Sequence, residues 1–306
     1  MERSSYFIKD KALFGGYPTQ ESVNIFEENG VRHFIDLTCP GERKITPYKT
    51  KYTYHKYCIR DHRVPTDWHS FAQFILKICN IIKKLNTGEK IYIHCKGGHG
   101  RSGIVVASVL CHLYKIQPVE ALRLTKEYHS RRKKMKDYRR QMGSPPGENQ
   151  KEFVRRFFRP LYFYKAYSNG ATAGFSNFSI HSVEIKDFGI FPTAEAAINA
   201  YKDPDNKDYV RKQETAFNPH VSKKLGRTCK LRKDWDEVKD QLMYKVLNAK
   251  FHQHTDIRES LLRTGLQPLI QHSPDMYWGD GRNGRGRNML GKILVRLRNK
   301  MHIKED

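Results

Sequence analysis

Residues 90–103 read Lys-Ile-Tyr-Ile-His-Cys-Lys-Gly-Gly-His-Gly-Arg-Ser-Gly, and they constrain the fold more than any other stretch of the chain. A short apolar strand runs into Cys95, a loop with three glycines follows, and Arg101 and Ser102 lead into the helix-like run Ile104-Val105-Val106-Ala107-Ser108-Val109-Leu110. Strand, glycine-rich loop and helix in that order make an anion cradle. Gly97, Gly98 and Gly100 let consecutive backbone N–H groups turn inward, and the helix N-terminus adds partial positive charge. Arg101, six residues after Cys95, presents a planar fork that can hold two phosphoryl oxygens. The residues expected around a phosphate are therefore Lys96, Gly97, Gly98, His99, Gly100 and Arg101. A Cys at a strand end, facing a helix N-terminus beside an Arg, sits where the thiolate is favoured, and Ser102 can hydrogen-bond the sulfur as it leaves. A lone Cys reads as a small buried hydrophobe; the whole run points to catalysis.

The run resembles the signature loop of the cysteine-dependent protein phosphatases, the dual-specificity branch in particular. That resemblance implies a thiolate nucleophile at Cys95, a phosphocysteine intermediate, and an Asp on a separate loop that protonates the leaving oxygen and later activates water. Asp61, in Ile59-Arg60-Asp61-His62-Arg63-Val64-Pro65, resembles that residue, with Asp67 as the alternative. The loop departs from the RNA 5′-triphosphatase branch at Gly98-His99-Gly100. Lys96 is similar to the lipid phosphatases, but His99 replaces the second lysine of that branch. A phosphorylated protein is the expected substrate, with phosphorylated nucleotide, ribose or RNA ends next.

Upstream, Ala12 to Pro18 and Val31 to Thr38 read as strands separated by a helix from about Gln20 to Asn29. The alternation predicts an α/β domain, a mostly parallel central sheet flanked by helices. With 306 residues the chain has room for two cores. The boundary falls at Phe157-Phe158-Arg159-Pro160, giving domains 1–159 and 160–306, and the first closes on an amphipathic helix that buries Phe153, Val154 and Phe157. No apolar run approaches the roughly 20 residues of a membrane span, and the start shows no signal-peptide pattern, so an intracellular, cytoplasmic protein is expected. Six dispersed cysteines suggest no disulfide framework: Cys39 and Cys58 read as buried thiols, or as partners that protect Cys95.

The formal charge is +24. The densest run, Arg131-Arg132-Lys133-Lys134-Met135-Lys136-Asp137-Tyr138-Arg139-Arg140, reads equally as a solvated helix end and as a footprint for a polyanion such as nucleic acid.

The second half carries its own constellation. Phe175-Ser176-Asn177-Phe178 precedes a helix that Thr193 should cap, on which Glu195 and Lys202 share one face two turns apart. Arg227 and Trp235 follow, and Tyr277-Trp278-Gly279-Asp280-Gly281 leads through a basic loop with Arg282, Arg285 and Arg287 into a last helix. In this order the segments resemble the NADAR family over nearly all of residues 160–300, whose members are N-glycosidases acting on ribosylated intermediates of the riboflavin pathway or on ADP-ribosylated guanine. The resemblance implies an α+β, largely helical domain with Glu195 as general acid/base. Trp235 and Trp278 would stack on the base, Asp280 would position the ribose, and Asn177 would complete the pocket. Arg227 and the loop arginines would hold phosphate. Lys202, with Lys165 behind it, would open the sugar through a Schiff base. Where many members carry His-Tyr and Gln, this chain has Ala196-Ala197 and Asn199; smaller residues there would widen the pocket or remove a substrate contact. Neither cofactor nor metal is called for.

Overall fold

The computed structural model describes residues 2–164, 170 and 172–304. The chain divides into two compact units, Met1–Arg159 and Pro160–Asp306.

The first unit runs β1 (Ser4–Ile8), β2 (Ala12–Gly15), α1 (Gln20–Glu28), β3 (Val31–Asp36), β4 (Thr53–Lys56), α2 (Trp68–Lys84), β5 (Lys90–His94), α3 (Arg101–Tyr114), α4 (Pro118–Ser130), α5 (Asp137–Met142) and α6 (Glu148–Phe157). The sheet order is β1-β2-β5-β3-β4, with only β1 antiparallel to its neighbour. From Ile91 to His94 the central strand β5 is buried at every residue, so both faces of the sheet are covered. β2 stops at Gly15 because the next turn meets the loop after β5: the Tyr17 N–H donates to Lys96 O at 3.1 Å. Asp67 caps α2 by accepting from the His69 and Ser70 amides. The spacing of Phe153, Val154 and Phe157 turns one face of α6 inward. There Phe153 and Phe157 meet Phe71 of α2 edge-on at 5.3 and 5.1 Å between ring centres, each ring contributing about 1.5–3 kcal/mol by burial.

The second unit runs β6 (Leu161–Phe163), β7 (Val183–Ile185), β8 (Gly189–Phe191), α7 (Ala194–Ala200), α8 (Lys207–Glu214), α9 (Pro219–Thr228), α10 (Trp235–Gln253), α11 (Thr255–Arg263), β9 (Leu269–Gln271) and α12 (Met289–Lys304). β6 pairs with β9 in parallel, and β7 and β8 form a small antiparallel ladder. The core lies between α7, α10 and α12, around Phe175, Phe191, Val246, Phe251, Leu294 and Leu297. Thr193 caps α7 by accepting from the Ala196 amide. Among the described residues no helix is long and apolar enough to cross a membrane.

Candidate active sites

In the first unit, β5 ends at His94 and delivers Cys95, 2% exposed, to the floor of the glycine loop. The Gly98 N–H points at the sulfur, 3.3 Å away, and Ser102 Oγ lies 3.6 Å from it. Gly98 has φ +75°, and a side chain there would press within 2.3–2.6 Å of the Gly15–Gly16 backbone, so only glycine lets the loop lie on that turn. His94 is held behind the nucleophile by the Tyr48 hydroxyl at 2.7 Å, and burial pulls its pKa down to about 4, which keeps it neutral.

Arg101 opens α3 and is 1% exposed. Its guanidinium donates to Ile59 O at 3.0 Å and meets Asp61 at 2.9 Å; Glu42 receives both terminal nitrogens. Of the two expected acids, Asp61 reaches this arginine, whereas Asp67 uses its carboxylate to cap α2. Asn149 and Gln150, at the start of α6, hold the carbonyls of His62 and Arg63 and so fix the Asp61 loop from its far side. Glu42 was not foreseen: a carboxylate in a turn between β3 and β4 has no periodicity to mark it. His99, expected in the cradle, uses a ring nitrogen on a neighbouring histidine. Its ring meets His129 at 2.7 Å, and burial lowers the pKa of His99 to about 4 and of His129 to about 3.

The cysteine reading requires correction. Cys39 and Cys58 are bonded to each other, and neither pairs with Cys95, which is free. The turn at Cys39 and the segment after β4 approach because both run toward Arg101: the Cys39 N–H donates to Glu42 at 2.9 Å, and Ile59 follows Cys58. The bridge spans 19 residues. Closing a loop of that length stabilises by about 3 kcal/mol, so Cys39→Ser/Cys58→Ser is expected to lose that amount in denaturant titration. Equal stability of the double variant and the oxidised wild type would refute this.

In the second unit a cavity of about 730 Å³ opens between α7, α9, α10 and the loops around residues 177 and 275. Glu195, Lys202, Asn177, Trp235, Trp278 and Arg227 all line it, so six of the expected residues share one space. Glu195 receives the Asn199 amide at 3.4 Å, and its own N–H donates to Asn177 O at 3.0 Å. Burial raises its pKa above the ordinary carboxylate value, against the pull of Lys223, Lys202 and Asn199. Lys202 donates to Gly226 O at 3.0 Å and sits 5.7 Å from the Trp235 ring centre; burial lowers its pKa. Beneath them Asn199, Ser222, Gln213 and Tyr209 form a closed buried network of hydrogen bonds between 2.7 and 3.1 Å. Gly226 is required there, since a Cβ would lie 2.4 Å from the Asn199 side chain. Asn177, Gln271 and Ser273 also line the cavity.

Other expectations fail. Asp280 is not among the cavity-lining residues; it accepts from the Arg282 amide and lies 2.9 Å from His272, holding the loop that presents Trp278. Ala196 and Ala197 are fully buried and do not line the cavity, whereas Asn199 does. Arg282 lies over the Tyr164 ring and Arg287 over Tyr277, and Arg285 is exposed; none of the three lines the cavity. Lys165 lies outside the described residues. Sequence reasoning missed Lys223 and His220 on α9 and Asp275 in a loop, which do line it: single exposed polar residues carry no signal by themselves.

Lys250 was missed as well. Fully buried on α10, it donates to Gly174 O, Ser176 O and Ser179 Oγ at 2.7, 2.8 and 2.6 Å, fixing the loop that carries Asn177. Burial lowers its pKa to about 7. The unfolded chain therefore holds this proton more tightly, and stability from this group rises with pH from about 7 to the ordinary lysine range. Lys250→Met strands three acceptors and is expected to cost roughly 2–4 kcal/mol at pH 7 and to flatten that slope in denaturant titrations.

Residues 162–302 match the family described as NADAR domain, and residues 12–114 match the family described as polymorphic toxin system, DSP-PTPase phosphatase. Protein 197R of Invertebrate iridescent virus 6, whose name assigns it to the tyrosine phosphatases, is 32% identical over 299 residues, 95% of this chain and 89% of its own length. N-glycosidase YbiA of Escherichia coli (strain K12) is 40% identical over 134 residues, 43% of this chain and 82% of its own length. The NMR structure of E. coli YbiA aligns with a TM-score of 0.44 at 36% identity, covering 48% of this chain and 87% of that one. With sequence similarity of this extent across both units, the chain belongs to the family that joins a dual-specificity-type cysteine phosphatase domain to a NADAR domain.

Proposed function

We propose that the first unit hydrolyses phosphate monoesters through Cys95. The thiolate attacks phosphorus, the P–O bond to the leaving group breaks, and Asp61 gives that oxygen its proton. Water, giving its proton to the same Asp61, then attacks phosphorus, and the P–S bond breaks to free phosphate and restore the thiolate. Arg101 and the loop amides hold the equatorial oxygens as charge builds on them, and Ser102 donates to the departing sulfur. The convergence of the Gly98 N–H and Ser102 Oγ on one sulfur supports this reading. Substrates of this class are phosphorylated proteins or nucleotides.

The second unit, in the same reading, cleaves the N-glycosidic bond of a ribosylated or ADP-ribosylated base. Lys202 attacks the anomeric carbon as the bond to the base breaks, and Glu195 protonates the departing base, which Trp235 and Trp278 flank. Water then hydrolyses the resulting Schiff base to free the sugar and the amine. Arg227 and Lys223 supply positive charge for phosphate. The observation that carries this is that Glu195, Lys202, Trp235, Trp278, Arg227 and Lys223 line one cavity. An acid, an amine and two aromatic rings converging on one concave space form a pocket suited to a flat base joined to a sugar. The test is to incubate the chain with ADP-ribosylated guanosine and follow free guanosine by chromatography, against Glu195→Ala and Lys202→Ala. Release that both substitutions abolish supports the reading; release unchanged by Glu195→Ala removes it.

A further inference from the structure

The basic run at residues 131–140 divides in the structure. Arg131, Lys133, Lys134 and Lys136 are exposed, but Arg132 turns inward and is 3% exposed. Its guanidinium lies over the Phe14 ring at 4.5 Å and donates to Phe14 O at 3.3 Å, while its Nε has no hydrogen-bond partner. Among the described residues no carboxylate lies within ion-pair distance of it. A cation buried this deeply without an anion is costly, so its surroundings must supply one.

Two independent paths place Arg132 under the cysteine loop. Phe14 pairs with Ile93 in the sheet, two residues before Cys95, and Gly98 packs on the turn directly after Phe14. From the other side the Arg132 N–H donates to His129 O, and the His129 ring meets His99 of the same loop at 2.7 Å. Tyr92 and Cys95 oppose the charge of Arg132, whereas His99 and His129 do not, and Arg140 donates to the Arg132 carbonyl at 3.0 Å. The two histidines are neutral at physiological pH. Tyr92 keeps its proton, since burial pushes its pKa up and its hydroxyl donates to Gly16 O at 2.6 Å. Cys95 is what remains.

We infer that Arg132 is a second counter-charge for the Cys95 thiolate, acting from beneath the loop while Arg101 faces the substrate. Arg132 is thus a positioning residue that does not touch the phosphoryl group, and its role rests on Cys95 being the nucleophile. The buried cation and the thiolate anion stabilise each other, which explains why an arginine occupies a site with no carboxylate.

Alkylation by iodoacetamide at pH 6.5, read by mass spectrometry on the Cys95 peptide, tests this without requiring turnover. In the wild type Cys95 should react far faster than the free, half-buried Cys229; if it does not, Cys95 is no thiolate and both readings fall. With Cys95 reactive, Arg132→Gln is expected to slow its alkylation about tenfold, because the thiolate loses a counter-charge. Arg132→Met, which keeps the apolar stem over Phe14, serves if the glutamine variant does not unfold cooperatively. Arg132→Lys, which restores charge without the fork, should return the rate to within about twofold of wild type. A wild-type rate in a folded charge-free variant overturns the proposal alone, leaving the nucleophile assignment intact. Equal slowing by Lys and Gln also overturns it, because shape rather than charge would then matter.

Discussion

Cys95→Ser is expected to lower turnover of an aryl phosphate by at least about 10⁴-fold while leaving the fold intact. The size follows from what the substitution removes: a serine hydroxyl in the same place stays protonated near neutrality, and loss of a nucleophile from a cooperating set costs about as much as loss of the whole set. The fold should survive because serine is smaller than cysteine and the site already offers polar partners, the Gly98 amide and Ser102 Oγ. Substrate should still bind, since Arg101 and the loop amides are untouched. Steady-state kinetics with the wild type and the variant, beside a thermal melt of each, checks this. Residual turnover above about 1% in the variant would mean that Cys95 is not the nucleophile.

Glu195→Gln is expected to reduce base release by about 10²–10⁴-fold, the range for loss of a positioned general acid. Glutamine keeps the size of glutamate and can still meet Asn199, so binding of a ribosylated base should change little, and the loss should fall on kcat rather than KM. The pH profile gives a second check. Because burial raises the Glu195 pKa, the protonated form persists above the ordinary value of 4.5 and can donate to a leaving base where a free glutamate could not. Activity should fall as pH rises through that raised pKa, and the limb should vanish in Glu195→Gln. The linkage has the matching sign: a raised folded-state pKa contributes stability that is complete below the unfolded value and is lost as pH rises through the folded one. A profile with the same alkaline limb in both proteins would assign that limb to another group.

The consequence for Arg101 is also physical. Glu42, Asp61 and the Ile59 carbonyl already occupy its guanidinium, so a phosphoryl group must take over bonds that these partners hold. Burial alone would lower the Arg101 pKa, but Glu42, Cys95 and Asp61 together raise it, and the charge is secure before substrate arrives. Glu42 is tied through the Cys39 amide to a disulfide whose other end leads into Ile59 and Asp61, so both loops that face Arg101 share one covalent anchor.

The cradle from Lys90 to Gly103 was legible from sequence because strand, glycine loop and helix are local, and each residue type has one conformational reason to be there. The same holds for Thr193 as a helix cap, for the inward face of α6, and for Glu195 and Lys202 two turns apart on α7 and just beyond it. These depend on separations of a few residues along one chain segment, where backbone geometry sets the outcome. Tertiary structure alone decided which of Asp61 and Asp67 meets Arg101, that Glu42 meets it too, and that Cys39 joins Cys58. It also turned Arg132 inward from a run otherwise solvated, gave Asp280 to a loop rather than to the cavity, and buried Ala196 and Ala197 away from it. Those outcomes depend on side chains with no periodicity, settled by which groups the packed sheet and helices bring within hydrogen-bonding distance and which charges they remove from water.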